Sequence, residues 1–486
     1  MMKKVPAYLT IYLTLTLGVL ITLCLALIEG VRLSTFQLET ACIADVSMDS
    51  AMAEYHRALF ERYNLLALDS SYGTKTFGRA NLEGRIAWYL DKNLSIQGKG
   101  LTGEVNALRF KDFLRMRLDG VQITDFRLLS DEKGKTFHRL AVEAILDDVG
   151  YAAAMEVTKW LETVEEYHLD AWDVEAEKEA TDARIATWQG MELEGEEIEI
   201  LEFDNPTAVV ENAKKTGFLK QVLRNRSLSG KRIDQTNLIY QRIRSGKSNH
   251  GNLPEGDANL FLRVADNVLF HEYLTSYLGN YREPKEESAL DYEIEYVLVG
   301  KDSDAENLRG VLYRLLAIRE AANAAYLFSD AAKRAEAEAI ALTVCVVTLH
   351  PELTGLLRDS ILLAWAYVES VYDLRILIGG GRIPLMKNSN SWHYGLSGVL
   401  KGLWEVVEDG NEREGLAYED YLRLLLLLED ENKVVGRAMN VVEADLRKTV
   451  GNKAFRMDAC YVQVGTTISV SSKYGYHLQI REDKKY

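Results

Sequence analysis

Proline and cysteine are both scarce in this chain, and each scarcity excludes something. Six prolines occur in 486 residues and none lies between Pro6 and Pro206. No proline-rich linker therefore separates independent modules, and a helix begun near the N-terminus meets no proline to end it. Glycine is likewise missing between Gly30 and Gly73. Four cysteines, Cys24, Cys42, Cys345 and Cys460, are too few for the disulfide framework of a small secreted scaffold. Basic residues are outnumbered, 57 Lys and Arg against 73 Asp and Glu for a formal net charge of -16. That balance argues against nucleic acid as a partner, because phosphate binding needs concentrated positive charge.

What occupies the proline-free start is an apolar run. Val5 to Ile28, VPAYLTIYLTLTLGVLITLCLALI, carries no charge over 24 residues, and at about 1.5 Å per residue it is long enough for a ~30 Å hydrocarbon core. A cleaved signal has an apolar core of roughly 7 to 15 residues, which this run exceeds, although Cys24-Leu25-Ala26 has small-x-small cleavage spacing. Lys3 and Lys4 precede the run, while Arg32 and then mainly acids (Glu29, Glu39, Asp45, Asp49) flank its far end. The positive-inside bias predicts a single-pass plasma-membrane protein with a cytoplasmic N-terminus and the bulk of the chain extracytoplasmic. The lipid bilayer is then its first partner.

The helical period continues past the span. Ala41, Ala44, Met48, Ala51, Met52 and Tyr55 recur at spacings of three and four along one face. A single rod from Val5 to Tyr63 would be about 90 Å long. Its small residues would let a neighbouring helix approach closely, or would seat the rod on the protein's own outer body. Glu29 and Arg32 stand i, i+3 and can pair at the end of the span.

Beyond the rod the reading is α+β: a transmembrane helix continuing into a long helix, then a mainly helical two-lobed region with small antiparallel β elements. The boundaries are 1-30 for the tip and span, 31-66 for the juxtamembrane helix, 67-228 for the first lobe, 229-256 for a Ser, Gly and Asn-rich connection, and 257-486 for the second lobe. Ala80 to Leu90 reads as a helix, Val121 to Leu129 and Phe137 to Leu146 as a hairpin, and Tyr151 to Trp188 as a helix. Glu156 to Asp204 holds 17 acids against three bases, a solvated acidic face. Asn205-Pro206 starts another helix, and Tyr292 to Val299 reads as a strand. Ser303 and Glu306 have capping-box spacing. Two apolar stretches, Ala339 to Leu349 and Ile361 to Ile378, are core helices rather than further spans, the second because Glu369, Asp373 and Arg375 interrupt it. The tail, Arg456 to Asp483, alternates as two or three closing strands.

Every catalytic motif fails at a required position. GKGLTG at Gly98 to Gly103 lacks the apolar strand a dinucleotide fold puts before it. HEYLT at His271 to Thr275 has Thr275 where zinc chemistry needs histidine. Asp302, Asp304 and Glu306 lack the glycine of a calcium loop, and YGLSG at Tyr394 to Gly398 has the wrong spacing for a nucleophile elbow. No catalytic residue, cofactor or metal site is expected.

Several segments taken together resemble a family. The initial MKK, the apolar span with Glu29 and Arg32, and ADVSMDSAMAEYHRALFERYNLLALDSSYG are similar to uncharacterised single-span proteins associated with tight-adherence (Flp-type) pilus systems. So are DYEIEYVLVGKDSDAENLRGVLYRLLAIREAANAAYLFSDAAKRAEAEA, IPLMK at Ile383 to Lys387 and AYEDYLRLLLLL at Ala417 to Leu428. The resemblance implies a pseudopilin-like anchored component beside a pilus machine. It departs in one respect, since Lys4, Val5 and Pro6 stand where a prepilin cleavage glycine would be. The expected role is a non-catalytic structural or assembly component that contacts pilus or other envelope proteins, or itself, through the N-terminal helix. Its topology and packing residues are Lys3, Lys4, Glu29, Arg32, Ala41, Ala44, Met48, Ala51, Met52 and Tyr55. The alternative is an anchored extracytoplasmic enzyme whose site is built from distant residues.

Overall fold

With no proline to interrupt it, and with Gly18 and Gly30 carried inside it, helix α1 runs for 46 residues, Ala7–Met52. The computed structural model describes residues 7–94, 114–146, 219–224, 226–246, 260–347, 351–396 and 414–486, with isolated positions between them. Lys3 and Lys4, the glycines at 98–103, the acidic stretch 156–204, nearly all of the helix expected at 151–188, and Asn205-Pro206 lie outside the described residues. Those that are described are mostly helical with one small antiparallel sheet. Contacts divide the chain into two units, 1–132 with 246–256 and 449–486, and 133–245 with 257–448. The C-terminal strands thus return to the first unit, and residues 229–245 belong to the second rather than forming a connection.

In the first unit, the rod is shorter than its periodicity implied. Helix α1 stops at Met52, about 70 Å from its start, and a separate helix α2, Arg57–Tyr63, follows. The break is held by His56, whose Nδ1 accepts the Leu59 N–H at 3.1 Å while Nε2 stands 3.2 Å from Asn452 Oδ1. A side chain bound at an N-cap competes with helix continuation. Strand β1, Leu68–Asp69, and helix α3, Arg79–Leu94, come next, the latter close to its expected position.

Strand β2, Met116–Leu128, contains the first half of the expected hairpin. The second half is a helix, α4, residues 135–146. Phe137, Ala141, Val142 and Ile145 are its buried residues, a helical spacing, and Glu132 and Lys133 turn the chain at positive φ. The partner of β2 is instead β3, Cys460–Ser472, which also pairs with β1 and with β4, His477–Lys485. The closing strands expected in the tail are these two. All pairs are antiparallel, with Val121 opposite Ile468 and Ile468 opposite Ile480.

One face of this sheet, α3 and the distal part of α1 share a core. Phe36, Ala44, Met48 and Ala51 meet Leu82, Ile86 and Leu90 of α3 and Ile123, Val464 and Ile468 of the sheet. The small-residue face of α1 therefore seats on the protein's own body. Lys484 of β4 reaches across to Asp45 at 2.5 Å and Asp49 at 2.6 Å, and Arg85 of α3 forks onto Glu54.

The second unit is built on three long helices, α8 (Asp304–Ser329), α9 (Ala331–Val347) and α10 (Thr354–Gly379), with α10 packed against both others. Around them lie α5 (Ile239–Arg244), α6 (Leu260–Tyr277), α7 (Glu293–Val299), α11 (Tyr418–Leu428) and α12 (Glu431–Lys448). The segment expected as a strand, 292–299, is helical. Residues 293–298 are all buried, so neither face shows a polar period from which helix and strand could be told apart. Ser303 caps α8 as its spacing implied, accepting from Glu306 N–H and donating to Glu306 Oε2 at 2.7 Å. At Gly436 of α12, an added Cβ would collide with the Tyr240 ring, which is why that close crossing uses glycine.

Ala51 is buried against the sheet core, and overpacking such a site costs about 1–3 kcal/mol. Ala51→Leu is accordingly expected to lower the melting temperature of the body, whereas Leu38→Ala on the exposed side of α1 should leave it unchanged; thermal circular dichroism of the two variants checks this.

Candidate functional site

Among the described residues, a cluster of chemically versatile side chains lies inside the helical core of the second unit. On α10, Glu369 and Asp373 stand i, i+4 on one face, buried among apolar residues such as Trp365, Val368 and Leu377 of the same helix. On α8, Arg319 and Asn323 stand i, i+4 facing them. Beyond α10 the chain turns at Gly380, in the left-handed region at φ 94°, and returns as a loop that delivers Lys387, His393 and Tyr394 to the same place.

The side chains of Arg319, Glu369, Asp373 and Lys387 are fully buried. Lys387 Nζ contacts Glu369 Oε1 and lies 2.6 Å from Asp373 Oδ1. Arg319 reaches Asp373 Oδ2 through Nε at 3.0 Å and spends Nη1 on the Pro384 and Leu385 carbonyls at 2.9 and 2.7 Å. Asn323 Nδ2 adds a bond to Asp373 Oδ2 at 3.0 Å. Glu369 further accepts the backbone N–H groups of His393 at 3.0 Å and Tyr394 at 2.9 Å. His393 Nδ1 lies 3.1 Å from Glu369 Oε1 and 3.4 Å from Lys387 Nζ, between an acceptor and a donor. Two cations thus meet two carboxylates, and the buried charges cancel.

Glu369, Asp373 and His393 offer three ligand atoms within 4.8 Å of one another, the donor set of a hard or borderline cation. The ammonium of Lys387 already supplies positive charge among them. The geometry is that of an internal staple: it ties the 384–394 loop to α8 and α10 through side chains whose hydrogen bonds are directed at one another. The neighbouring hydroxyl, Ser370 Oγ, donates to Ala366 O at 2.6 Å and is not presented as a nucleophile.

Burial alone would raise the Glu369 carboxyl, but the His393 hydrogen bond, the Lys387 charge and the Tyr394 N–H outweigh it and hold it at about 2. The reverse occurs at Glu295 of α7. Burial pushes this carboxyl up to about 7 despite hydrogen bonds from Tyr281 N–H at 2.9 Å and Tyr418 Oη–H at 2.7 Å, and its Oε2 has no hydrogen-bond partner.

The residues expected to carry topology and packing are not brought to this cluster. Glu29 and Arg32 do pair, at 3.7 Å, and the β3–β4 turn closes on them. Tyr476 hydrogen-bonds Glu29, and Arg32 lies 4.9 Å over the Tyr474 ring. Ala44, Met48, Ala51 and Met52 are buried in the sheet core, Ala41 is partly covered, and Tyr55 lies beyond the end of α1 against Phe60. His271 is buried in α6, where desolvation depresses it to about 3, and Glu272 pairs with Arg423 at 2.7 Å, so HEYLT is part of the packing. The buried cluster itself was missed as a site. Its signal was the i, i+4 pair Glu369 and Asp373 inside an apolar stretch, which served only as evidence against a membrane span.

The two carboxyls give opposite pH dependences. Glu369 is depressed below an ordinary value of 4.5, so its contribution is present above pH ~4.5 and is lost as pH falls toward 2; Glu369→Gln should cost about 3–5 kcal/mol at neutral pH, with the deficit shrinking on acidification. Glu295 is raised, so its folded form is favoured below pH ~4.5 and loses stability as pH rises to 7. Glu295→Gln is expected to melt higher than the parent protein at pH 8, by on the order of 3 kcal/mol, with the gap closing near pH 5. Melting curves of both variants from pH 3 to 8 read the two signs separately.

Residues 196–472 match the model of a family of unknown function, DUF5702. No curated protein and no solved structure matches the chain.

Proposed function

Since the chain belongs to a family of unknown function, and membership brings no activity with it, we propose from its geometry that it is a membrane-anchored, non-catalytic structural or assembly component of the cell envelope. The N-terminal helix is long and apolar enough to cross a membrane, and no part of its apolar stretch is buried in the protein. The observation that carries the proposal is continuity. The same unbroken helix that presents Tyr8 to Ile28 bare passes directly into the core beside Leu82, Ile86 and Ile468.

A helix embedded at one end in lipid and at the other in a packed core holds the first unit at a set distance from the bilayer without a flexible hinge. That suits a spacer or a platform. Lys3 and Lys4 on the near side favour a cytoplasmic N-terminus and an extracytoplasmic body. The sequence likeness to single-span proteins of tight-adherence pilus systems makes pilus assembly the setting we favour, with protein contacts rather than chemistry as the mode of action. The mutual pairing of Arg319 and Lys387 with Glu369 and Asp373 supports a structural use for that buried cluster.

The reading is tested by fractionation. The protein is expected in carbonate-washed membranes with its N-terminus intact, its body digested by protease only from the outer face. Recovery in sheared surface filaments with a trimmed N-terminus would make it a filament subunit, and recovery in the soluble fraction would remove the anchor.

A further inference from the structure

A lysine amine held against a carboxyl in a dry core is a pair able to condense, and the cluster around α10 supplies what that reaction needs. Lys387 Nζ donates a hydrogen bond to Glu369 Oε1 and stands 2.6 Å from Asp373 Oδ1. It makes no hydrogen bond to Oδ1, and that oxygen has no other hydrogen-bond partner among the described residues. Asp373 Oδ2 is placed differently. It faces Arg319 Nε at 3.0 Å, Arg319 Nη2 at 2.9 Å and Asn323 Nδ2 at 3.0 Å. Fixed donors aimed together at one oxygen of a carboxyl are the arrangement that stabilises an oxyanion. The surroundings hold the reactants still and keep water out. Arg319 Nη1 binds the Pro384 and Leu385 carbonyls just ahead of Lys387, the Trp392 ring lies 5.6 Å from Nζ, and the side chains of Glu369, Asp373 and Lys387 are fully buried.

We propose that Lys387 and Asp373 join in an intramolecular amide, a cross-link that the protein makes in itself once per chain and without turnover. Glu369, anionic in the resting cluster, is the acceptor that Nζ already hydrogen-bonds. One ammonium proton passes through Glu369 Oε1 to Asp373 Oδ1, leaving a neutral amine beside a neutral carboxyl. Burial disfavours the charged forms of both groups, and their contact replaces a bimolecular encounter. Nζ then attacks Asp373 Cγ, and Oδ2 carries the negative charge of the tetrahedral intermediate against Arg319 and Asn323. A second proton follows the same path from nitrogen to Oδ1, the Cγ–Oδ1 bond breaks with its electron pair, and water leaves. The third proton stays on the amide nitrogen. An ammonium and a carboxylate are thus consumed, an amide and one water are formed, and no oxidant or other reactant enters. Arg319 and Glu369 remain as one cation and one anion, so the buried charge still cancels with fewer ions to desolvate. Asp373 rather than Glu369 is the acyl partner, because both Glu369 oxygens are held by further donors, Oε1 by His393 N–H and Oε2 by Tyr394 N–H. The cross-link would make the contact between α10 and the returning loop permanent, and it does not depend on the anchored reading above.

The test is mass spectrometry of the full-length protein after denaturation. The parent chain is expected to be lighter than its sequence by the mass of one water. Trypsin should release residues 359–375 joined to residues 383–401, uncut after Lys387, with fragment ions placing the bond between Lys387 and Asp373. Lys387→Arg should restore the missing water and give separate peptides. Glu369→Gln, which keeps both reacting groups, should leave them unjoined in protein that circular dichroism shows to be folded. Separate peptides 359–375 and 383–387 from the folded parent chain overturn the proposal, as does a bond placed on Glu369 or full joining in folded Glu369→Gln. The outcome is independent of the anchor: joined chain in the soluble fraction keeps the cross-link and removes the anchor, whereas unjoined chain in washed membranes overturns the cross-link and keeps the anchor.

Discussion

Strand β3 is hydrogen-bonded along both edges, with β2 on one side and β1 and β4 on the other, and the first unit depends on that pairing. Without residues 460–472, β1 and β2 have no common partner and the face that receives α1 does not exist. At Gly465 an added Cβ would meet the Asp483 carboxylate, which lies over the glycine. The last residues of the chain thereby complete the seat for its first helix. Phe36 packs on Tyr476 with ring centroids 5.6 Å apart, and Tyr486 Oη–H donates to Met52 O. A pairing of such high sequence separation forms only after a large loop closes, so the rod can be fixed to the body only once the strands within 460–485 are made.

In the second unit the corresponding constraint is electrostatic. Two carboxylates one turn apart on α10 would be prohibitive in a three-helix core if unpaired, and each is met by a cation and by directed hydrogen bonds. Arg319 comes from a neighbouring helix and Lys387 from the loop that follows α10. Hydrophobic groups of the same volume could give comparable stability, but they would not specify which loop residues return. Here Pro384, Leu385, His393 and Tyr394 are each held by a named atom of the cluster.

Part of this was legible in the residues. The uninterrupted helix from Ala7, helix α3, the Ser303 cap and the closing strands follow from local rules: absence of proline, apolar period, side-chain oxygen before a helix, alternation in the tail. The errors have separate causes. At 292–299 burial extends around the element, so the polar face that distinguishes a period of 3.6 from one of 2 is missing, whereas at 137–146 the buried Phe137, Ala141 and Ile145 and the exposed Arg139 and Glu143 do carry a helical period, and the preceding turn residues led to its reading as the second strand of a hairpin. The end of α1 was hidden for a different reason, since His56 is held from residue 452 and nothing nearby announces it. The carboxylates of the candidate site were visible in the sequence, but their cations were 18 or more positions away from Glu369 or on another helix.

By itself, then, the sequence determined that one N-terminal helix is apolar enough to enter a membrane, that the rest is α+β, and which segments take up local helix and strand signals. Those are properties of short stretches, decided by side-chain period and backbone geometry. Only the tertiary structure decided which face of α1 is spent on the protein's own core and which is left bare, because that depends on where strands 460–485 come to rest. It also decided that Lys387 stands between Glu369 and Asp373, because the charge that compensates a buried carboxylate is chosen by proximity in space and not by spacing along the chain.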